Sequence, residues 1–314
     1  METNLTRVVH IDIAKGIVIF LMVIGHTSIP EIASKWIWSF HMPFFFFISG
    51  VLFNEHKYGE WGAFAKSRIR QLVIPYILMS ITVFIALYPL GNVQLDELLF
   101  GWKGYPLWFV SVLLMAETLG LCVIKLKDIK IISSIAAALL VVAYVLWMVH
   151  WHCAYKVESV PLACFFFLMG FLLKDSVRKL RVSIWILAII AILHFVLAQI
   201  LPKLDMCFYN FGSWANPINS ILGIVMILAV SRLLESVSYN NILRKFSIWA
   251  GKNTLLIMGF ASMVIMLINA LLEFTTIPKV ITSPAKHIVL WIVLYMLTIM
   301  INKFIPEMAG KKRI

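Results

Sequence analysis

Residues 11–30 read IDIAKGIVIFLMVIGHTSIP, a mostly apolar run that is long enough to cross a bilayer as one helix. Lys15 and His26 are the polar side chains near its two ends, and Pro30 marks a turn. A second apolar run begins only a few residues later, so the two runs are predicted to form a tight helical hairpin. This opening predicts a membrane protein.

The composition of the whole chain agrees with that prediction. Of its 314 residues, 62% are hydrophobic and 13% are charged. A soluble domain has about 45–50% apolar and about 25% charged residues. So few charges could hardly cover a soluble surface, which argues against a soluble enzyme, a secreted disulfide-rich domain and a disordered chain. The four cysteines have no metal or redox spacing, and we expect no metal.

Ten apolar segments are separated by turn residues. They cover residues 11–30, 36–54, 71–90, 105–124, 131–149, 159–173, 182–201, 213–231, 253–272 and 285–303. Because a membrane-crossing helix needs about 20 mostly apolar residues, the sequence predicts an all-α, polytopic bundle of about ten transmembrane helices. Residues 1–314 form a single transmembrane domain in this interpretation, without a separate soluble domain.

The basic residues orient this bundle. With a cytoplasmic N-terminus, 20 of the 27 lysines and arginines lie on the inner side, 6 lie on the outer side, and Lys15 lies within the first span. Short cytoplasmic loops carry an excess of Lys and Arg, so both termini are predicted to be cytoplasmic. The net charge of +12 is then mainly topological. We expect membrane lipids and no nucleic acid as partners.

Three polar side chains in the first two spans favour a functional centre. Lys15 and His26 are eleven residues apart, about three turns plus 20°, so they share one helix face. The hairpin returns His41 to about the depth of His26. An interfacial histidine and a snorkelling lysine are the structural alternative for each residue alone. The combination favours function.

Further polar residues indicate ligand contacts or ion pairs. Glu117 lies well inside a predicted span, where a carboxylate must be paired, wetted or protonated. Pairing with an Arg or Lys is its structural alternative. Arg68 and Arg70 precede the third span on the inner side, where they mark either topology or an anion site.

Amides and aromatic residues gather at the outer end of the eighth span. Asn216 and Asn219 lie there with Tyr209 nearby in the sequence. Such a group suits a carbohydrate, although aromatic residues also line membrane interfaces generally. His194, in the seventh span, is interpreted as a core histidine.

Two motifs resemble the membrane-bound acyltransferase 3 family, and within it the fucose 4-O-acetylase-like branch. They are Ile11–Ile17 leading to Ile24-Gly25-His26, and Phe40–Gly50. Weaker similarities extend the resemblance over nearly the whole chain: the basic approach to Pro75-Tyr76, Leu107-Trp108-Phe109 to Glu117, and Gly251–Leu255. The resemblance implies ten spans and O-acylation of a glycan or lipid-linked sugar, usually with acyl-CoA as donor.

The resemblance also implies roles for single residues. The family's basic residue and first histidine correspond to Lys15 and His26, and its second histidine corresponds to His41. Its later basic and acidic positions correspond to Arg68, Arg70 and Glu117. Relatives often carry another histidine where this chain has Ala261, and the consequence of that departure is left open.

An integral membrane O-acetyltransferase of the inner (cytoplasmic) membrane is therefore expected, modifying a cell-envelope polysaccharide or another carbohydrate or lipid-linked glycan. The expected catalytic residues are His26, His41 and Glu117. Acetyl-CoA would be held by Lys15, Arg68 and Arg70, and the acceptor by Trp108, Tyr209, Asn216 and Asn219. The alternative is a proton-coupled secondary transporter or flippase of a sugar or lipid-linked substrate, with His26, His41 and Glu117 as proton relay.

The donor must cross part of the bundle to meet the acceptor. His26 lies about 16 Å beyond Lys15 along the first helix, roughly the length of an extended pantetheine arm. A continuous cavity from Arg68 and Arg70 to His26 is therefore expected. The sequence leaves open the acceptor and its hydroxyl, the acyl group (acetyl or larger), direct transfer against an acyl-histidine intermediate, and the oligomeric state, a homodimer included.

Overall fold

The computed structural model describes residues 8–102, 105–273 and 279–312, and within these ranges the chain is all-helical, without a β-strand. Arg7, Lys103 and Arg313, which contribute to the charge distribution above, lie outside the described residues. The α-helices in chain order are α1 Val9–Gly25, α2 Glu31–Trp38, α3 His41–Val51, α4 Trp61–Arg68, α5 Ile74–Leu87, α6 Leu95–Phe100, α7 Trp108–Ile124, α8 Ile129–Met148, α9 Val160–Leu172, α10 Lys174–Arg178, α11 Ile184–Ile200, α12 Asn216–Ser236, α13 Ile242–Lys252, α14 Thr254–Glu273 and α15 Lys279–Phe304.

Helices occupy all ten predicted segments. Within the described residues, six helical stretches are long and apolar enough to cross a membrane: Trp61–Leu90, Ile129–Met148, Ala154–Leu172, Asn216–Ser236, Thr254–Leu272 and Ala285–Phe304. The helices α7 and α11 are also apolar, at 17 residues each. The all-helical, multi-pass prediction is supported, whereas the count of ten spans and the cytoplasmic termini stay predictions.

The second predicted segment, 36–54, is broken rather than continuous. It contains the end of α2 and the 11-residue α3, which rises only about 16 Å. The break lies at Phe40, whose φ of −139° is not helical, and Ser220 donates a hydrogen bond to the Ser39 carbonyl oxygen at 2.6 Å. Pro43 fits the first turn of α3, where its missing N–H costs no hydrogen bond. His41 is consequently the first residue of a helix.

Glycines let the helices that carry the two histidines pack closely. A Cβ at Gly16 of α1 would lie 1.9 Å from the Ser247 carbonyl oxygen of α13, and one at Gly251 would lie 1.8 Å from that of Asp12. The helices α3 and α9 meet in the same way at Gly50. Small residues permit such backbone contact between membrane helices. Both α1 and α3 are therefore held firmly by their neighbours.

Candidate active site

His26 lies at the C-terminal end of α1 and its side chain is accessible. Its ring nitrogen Nδ1 is 2.8 Å from the Met22 carbonyl oxygen. Since a carbonyl oxygen only accepts hydrogen bonds, Nδ1 carries the proton, and Nε2 of the neutral ring keeps its lone pair. The backbone of α1 thus selects the tautomer in which Nε2 can accept a proton.

His41 has the same arrangement in a buried setting. Its Nδ1 is 3.0 Å from the Ile37 carbonyl oxygen of α2, and the side chain is almost completely buried. The His26 and His41 ring centroids are 6.2 Å apart with nearly perpendicular planes. The structure therefore brings together the two histidines that the sequence paired, each with Nε2 as its proton-accepting nitrogen.

Trp38 and Lys203 join the two imidazoles, and sequence reasoning missed both. The Trp38 ring centroid lies 5.4 Å from that of His26 and 5.3 Å from that of His41. Its Nε1 donates to the Gly25 carbonyl oxygen at 3.2 Å, and the Lys203 Nζ lies 3.6 Å from the Trp38 centroid. Burial lowers the pKa of Lys203, against the opposing charge of Asp205. The position of Trp38, three residues before His41, was the available sequence signal.

A cavity of about 80 Å³ opens beside these side chains. We call it the histidine cavity, and its lining includes Met22, His26, Trp38, His41, Met42, Pro43, Pro106, Trp108, Leu204, Asp205, Met206, Cys207, Phe208 and Met258. It can hold several water molecules, or by size a small acyl group. The predicted acceptor-binding residue Trp108 lies in this lining.

The predicted Arg68 and Glu117 pair with each other instead of facing the histidines. Arg68 Nε is 2.7 Å from Glu117 Oε2, and both side chains are buried. The guanidinium also lies 5.0–5.6 Å from the ring centroids of three aromatic residues, which are Phe53, Tyr58 and Phe64. We call this group the arginine cage. Glu117 is nine residues beyond Trp108 in α7, about 13.5 Å along the axis, so the structure does not bring it to the histidine cavity.

Arg70 and Lys15 also lie away from the histidine cavity. A π-helical turn, Ile69–Val73, joins α4 to α5, and residues two apart face nearly opposite sides of a helix. Arg68 is accordingly buried while Arg70 is partly exposed. Lys15 Nζ lies 3.5 Å from the Asp12 carboxylate.

The histidine cavity does not extend to the inner arginines, as the expected continuous cavity would. The lining of the histidine cavity includes none of Lys15, Arg68 and Arg70. One turn further along α3, Phe46 packs against Phe109 of α7 with centroids 4.8 Å apart. This contact joins α3 to α7 one turn beyond the cavity-lining residues Met42 and Pro43.

Three residues predicted to bind the acceptor instead form hydrogen bonds within the protein. Tyr209 donates its hydroxyl hydrogen bond to the Ala143 carbonyl oxygen. Asn216 Nδ2 donates to the carbonyl oxygens of Pro202 at 3.0 Å and Phe211 at 2.7 Å. These bonds hold the segment 201–215, which includes Leu204 and Asp205 of the cavity lining.

Asn219 is the third such residue, and it pairs with the predicted core histidine. Its Oδ1 accepts a hydrogen bond from His194 Nδ1 at 2.8 Å, and both side chains are completely buried. Neither residue is in the lining of the histidine cavity. His194 thus has the buried position that its apolar sequence context indicated.

Ala261, where relatives often carry a histidine, lies near the histidine cavity. It is buried in α14, three residues after Met258, which lines the histidine cavity. Residues three apart share a helix face. Ala261 therefore lies on the same face of α14 as Met258, although it is not itself in the cavity lining. The described residues contain no group of three or more His, Cys, Asp or Glu side chains placed to hold a metal ion.

Comparison with known proteins gives one match. A family model described as an acyltransferase domain (Acyl_transf_3) matches residues 8–302, nearly the whole chain. No curated protein and no solved structure matches the chain significantly. The matched range contains both histidines and the helices that hold them.

Proposed function

The chain belongs to the acyltransferase 3 family, and we propose that it is an integral membrane O-acetyltransferase that moves an acetyl group from cytoplasmic acetyl-CoA to a hydroxyl of a cell-surface or lipid-linked carbohydrate. The observation that carries this proposal is the histidine cavity. Each of its two imidazoles donates a hydrogen bond from Nδ1 to a backbone carbonyl oxygen, which leaves the Nε2 lone pair able to accept a proton. We place the protein in the fucose 4-O-acetylase-like branch, as a ten-span protein of the inner membrane with both termini cytoplasmic.

His26 is the general base in this proposal, because it is the accessible member of the pair. A sugar hydroxyl has far too high a pKa to ionise unaided, and a positioned base contributes about 10²–10⁴ in rate. His26 Nε2 takes the hydroxyl proton as the oxygen bonds to the thioester carbonyl carbon. The carbon–sulfur bond then breaks, and the proton passes to the CoA thiolate.

A second group must stabilise the negative oxygen that forms on the carbonyl. Neutral His41 cannot donate to it, because its one N–H is directed at the Ile37 carbonyl oxygen. The Lys203 ammonium, stacked on Trp38, supplies positive charge beside the cavity. We assign oxyanion stabilisation to Lys203. We assign to His41 the role of a second proton acceptor beside His26.

The donor site is proposed on the predicted cytoplasmic side, at Lys15 in the N-terminal half of α1 and Arg70 in the π-helical turn. Arg70 and Lys15 are the side chains that we assign to the CoA phosphates, since Arg68 is already paired with Glu117. Glu117, expected from the sequence to be catalytic, is assigned to holding Arg68 in place. The lining of the histidine cavity includes neither Lys15 nor Arg70, so this scheme requires a movement that opens a path from the donor phosphates to His26.

The acceptor is proposed to approach from the side of the segment 201–215. Trp108 lies in the cavity lining and offers an apolar ring face to a sugar. Tyr209, Asn216 and Asn219 act on the acceptor indirectly in this scheme, because their hydrogen bonds shape the wall of the cavity. Met258 lines the cavity, and the chain has Ala261 rather than a histidine three residues after it.

Two measurements test the proposed function. Purified protein is expected to release CoA from acetyl-CoA, and mass spectrometry is expected to find one class of surface glycan that loses its acetyl groups in knockout cells and regains them on complementation. A protein that binds no acetyl-CoA but moves a sugar or lipid-linked substrate with protons would instead be a transporter, and the proposal would be wrong.

A further inference from the structure

A second pocket lies at the other end of the bundle from the histidine cavity. It has a volume of about 650 Å³ and lies between residues 178–182 and the last turns of α12. Four basic side chains line it, together with one carboxylate: Arg178, Lys179, Arg181, Arg232 and Glu235. We call it the basic pocket. By the predicted orientation of the bundle, it faces the cytoplasmic leaflet.

The charges of the basic pocket favour an anion. Glu235 forms an ion pair with Arg232, with 3.0 Å between Glu235 Oε2 and Arg232 Nη1. The other three basic side chains leave the lining with an excess of positive charge. Asp175 approaches Arg178 only at 3.9 Å and is itself 76% exposed, so water screens this pair strongly. An anion entering the pocket would therefore meet cations on several sides.

The geometry of the two arginines indicates the kind of anion. Arg232 is held in place by Glu235 and by a hydrogen bond from its Nη2 to the Arg178 carbonyl oxygen. The Nε atoms of Arg178 and Arg232 are both buried and have no hydrogen-bond partner among the described residues. Buried donors are normally satisfied, and guanidinium groups pair with phosphate oxygens in a bidentate manner. The arrangement therefore suits a phosphate group.

The position of the pocket argues against the acetyl donor as its ligand. Glu235 lies beside His10, with 3.8 Å between its Oε2 and the imidazole Nδ1. His10 is sixteen residues from His26 along α1, which is about 24 Å. An extended pantetheine arm is only about 16 Å long, roughly the rise of eleven helical residues. If the CoA phosphates lay in the basic pocket, the thioester would therefore not reach the histidine cavity.

The surroundings of the pocket favour a lipid. Ile184 and Trp185, just after the basic residues, are 58% and 78% exposed, and Leu233 of the lining is 44% exposed. These exposed apolar side chains lie in or next in sequence to the pocket lining, and acyl chains require such an apolar surface. We propose that the basic pocket binds the phosphate headgroup of an anionic phospholipid, with the acyl chains lying along the exposed face of α11. Basic pockets between membrane helices bind such headgroups.

The test titrates the purified full-length protein in neutral detergent with phosphatidylglycerol and, separately, with phosphatidylcholine, and counts bound lipid by native mass spectrometry. Wild-type protein is expected to retain phosphatidylglycerol preferentially. The double substitution Lys179→Gln/Arg181→Gln, at exposed positions, is expected to raise the Kd for phosphatidylglycerol at least about tenfold, because the protein loses two positive charges that attract the headgroup. The matched control, Lys130→Gln/Lys245→Gln, removes two exposed charges outside the pocket and is expected to bind as wild type.

Three results would overturn the proposal. Unchanged phosphatidylglycerol binding in the Lys179→Gln/Arg181→Gln protein, or equal affinity for phosphatidylcholine, would show that the pocket recognises no headgroup charge. Displacement of phosphatidylglycerol by inorganic phosphate or CoA at equal phosphate concentration would assign the pocket to a soluble phosphate compound instead. Melting curves of all variants accompany the titrations, and Arg181→Gln alone replaces the pair if that pair unfolds.

Discussion

The histidine cavity and the arginine cage look alike in the sequence, since each contains polar residues that lie in or beside apolar segments. In the cage, Arg68 and Glu117 neutralise each other and aromatic rings surround the guanidinium. In the cavity, His26 and His41 each use one nitrogen on a backbone carbonyl and keep the other. In the cage the polar groups bind each other and so serve the structure, whereas in the cavity each histidine keeps a nitrogen that can act on a substrate.

The difference has an energetic cause. An ionised carboxylate inside a membrane bundle costs a few kcal/mol (~2.5–3.5 at a helix centre) unless it is paired, so Glu117 requires Arg68. A neutral imidazole carries no charge, and one hydrogen bond to a carbonyl already satisfies its N–H. A neutral histidine can thus lie in this environment with an unused proton-accepting nitrogen.

The sharpest way to break this comparison is to remove His26. His26→Ala is expected to lower acetyl transfer by about 10²–10⁴-fold, the usual contribution of a general base, with little change in melting temperature because the side chain is accessible. Turnover by purified protein and a melting curve measure the two effects. His41→Ala is expected to be severely impaired as well.

His194→Ala is the matched control for His41→Ala, since His194 is equally buried but lies outside the cavity lining. It is expected to lose stability and to keep turnover per folded molecule. Normal transfer by His26→Ala protein would end the assignment of the base.

Removing Arg68 is expected to have the next largest effect, on folding rather than on chemistry. Arg68→Ala leaves Glu117 buried without its partner, which costs about 3–5 kcal/mol of unfolding free energy. Replacing both residues, as Arg68→Met/Glu117→Met, is expected to restore most of that loss in a denaturation experiment. If the doubly substituted protein folds but its KM for acetyl-CoA rises sharply, Arg68 belongs to the donor site as the sequence predicted.

The segment 201–215 offers a test of intermediate size. Asn216→Ala removes the two hydrogen bonds to Pro202 and Phe211 and leaves their carbonyl oxygens, one partly buried and one buried, without these donors. The expected loss is about 1–3 kcal/mol in unfolding free energy, with a raised KM for the acceptor because this segment contributes to the cavity wall. Asn210→Ala, at an exposed position of the same segment, is the control and is expected to change neither quantity. Equal effects of the two substitutions would contradict this role.

Arg70 provides the smallest expected effect. Arg70→Ala is expected to raise the KM for acetyl-CoA several-fold while kcat changes little, because contacts to a non-reacting phosphate act mainly through binding. Steady-state kinetics with varied donor and saturating acceptor measure this, and Lys66→Ala, at an exposed position of α4, is the control. An unchanged donor KM would leave Arg70 as a topology marker.

Part of the site could be predicted because it depends on neighbours in the sequence. The apolar runs located the helices, and the short hairpin placed His26 near His41, as the structure confirms. The break at Phe40 was not predicted, and the hydrogen bond beside it, to the Ser39 carbonyl oxygen, comes from Ser220 of a distant helix. Lys203 and Asp205 were missed because only the fold of segment 201–215 brings them to the cavity.

By itself, the sequence determined that this chain is helical and membrane-bound, since both properties follow from hydrophobic burial summed over consecutive residues. It also determined which residues carry unusual chemistry for such a helix. Tertiary structure alone decided how those residues are used. Glu117 pairs with Arg68, Asn219 accepts a hydrogen bond from His194, and His26 and His41 line the cavity. The physical reason is that a polar group's energy depends on the partner it meets in space, and the packing of helix faces chooses that partner.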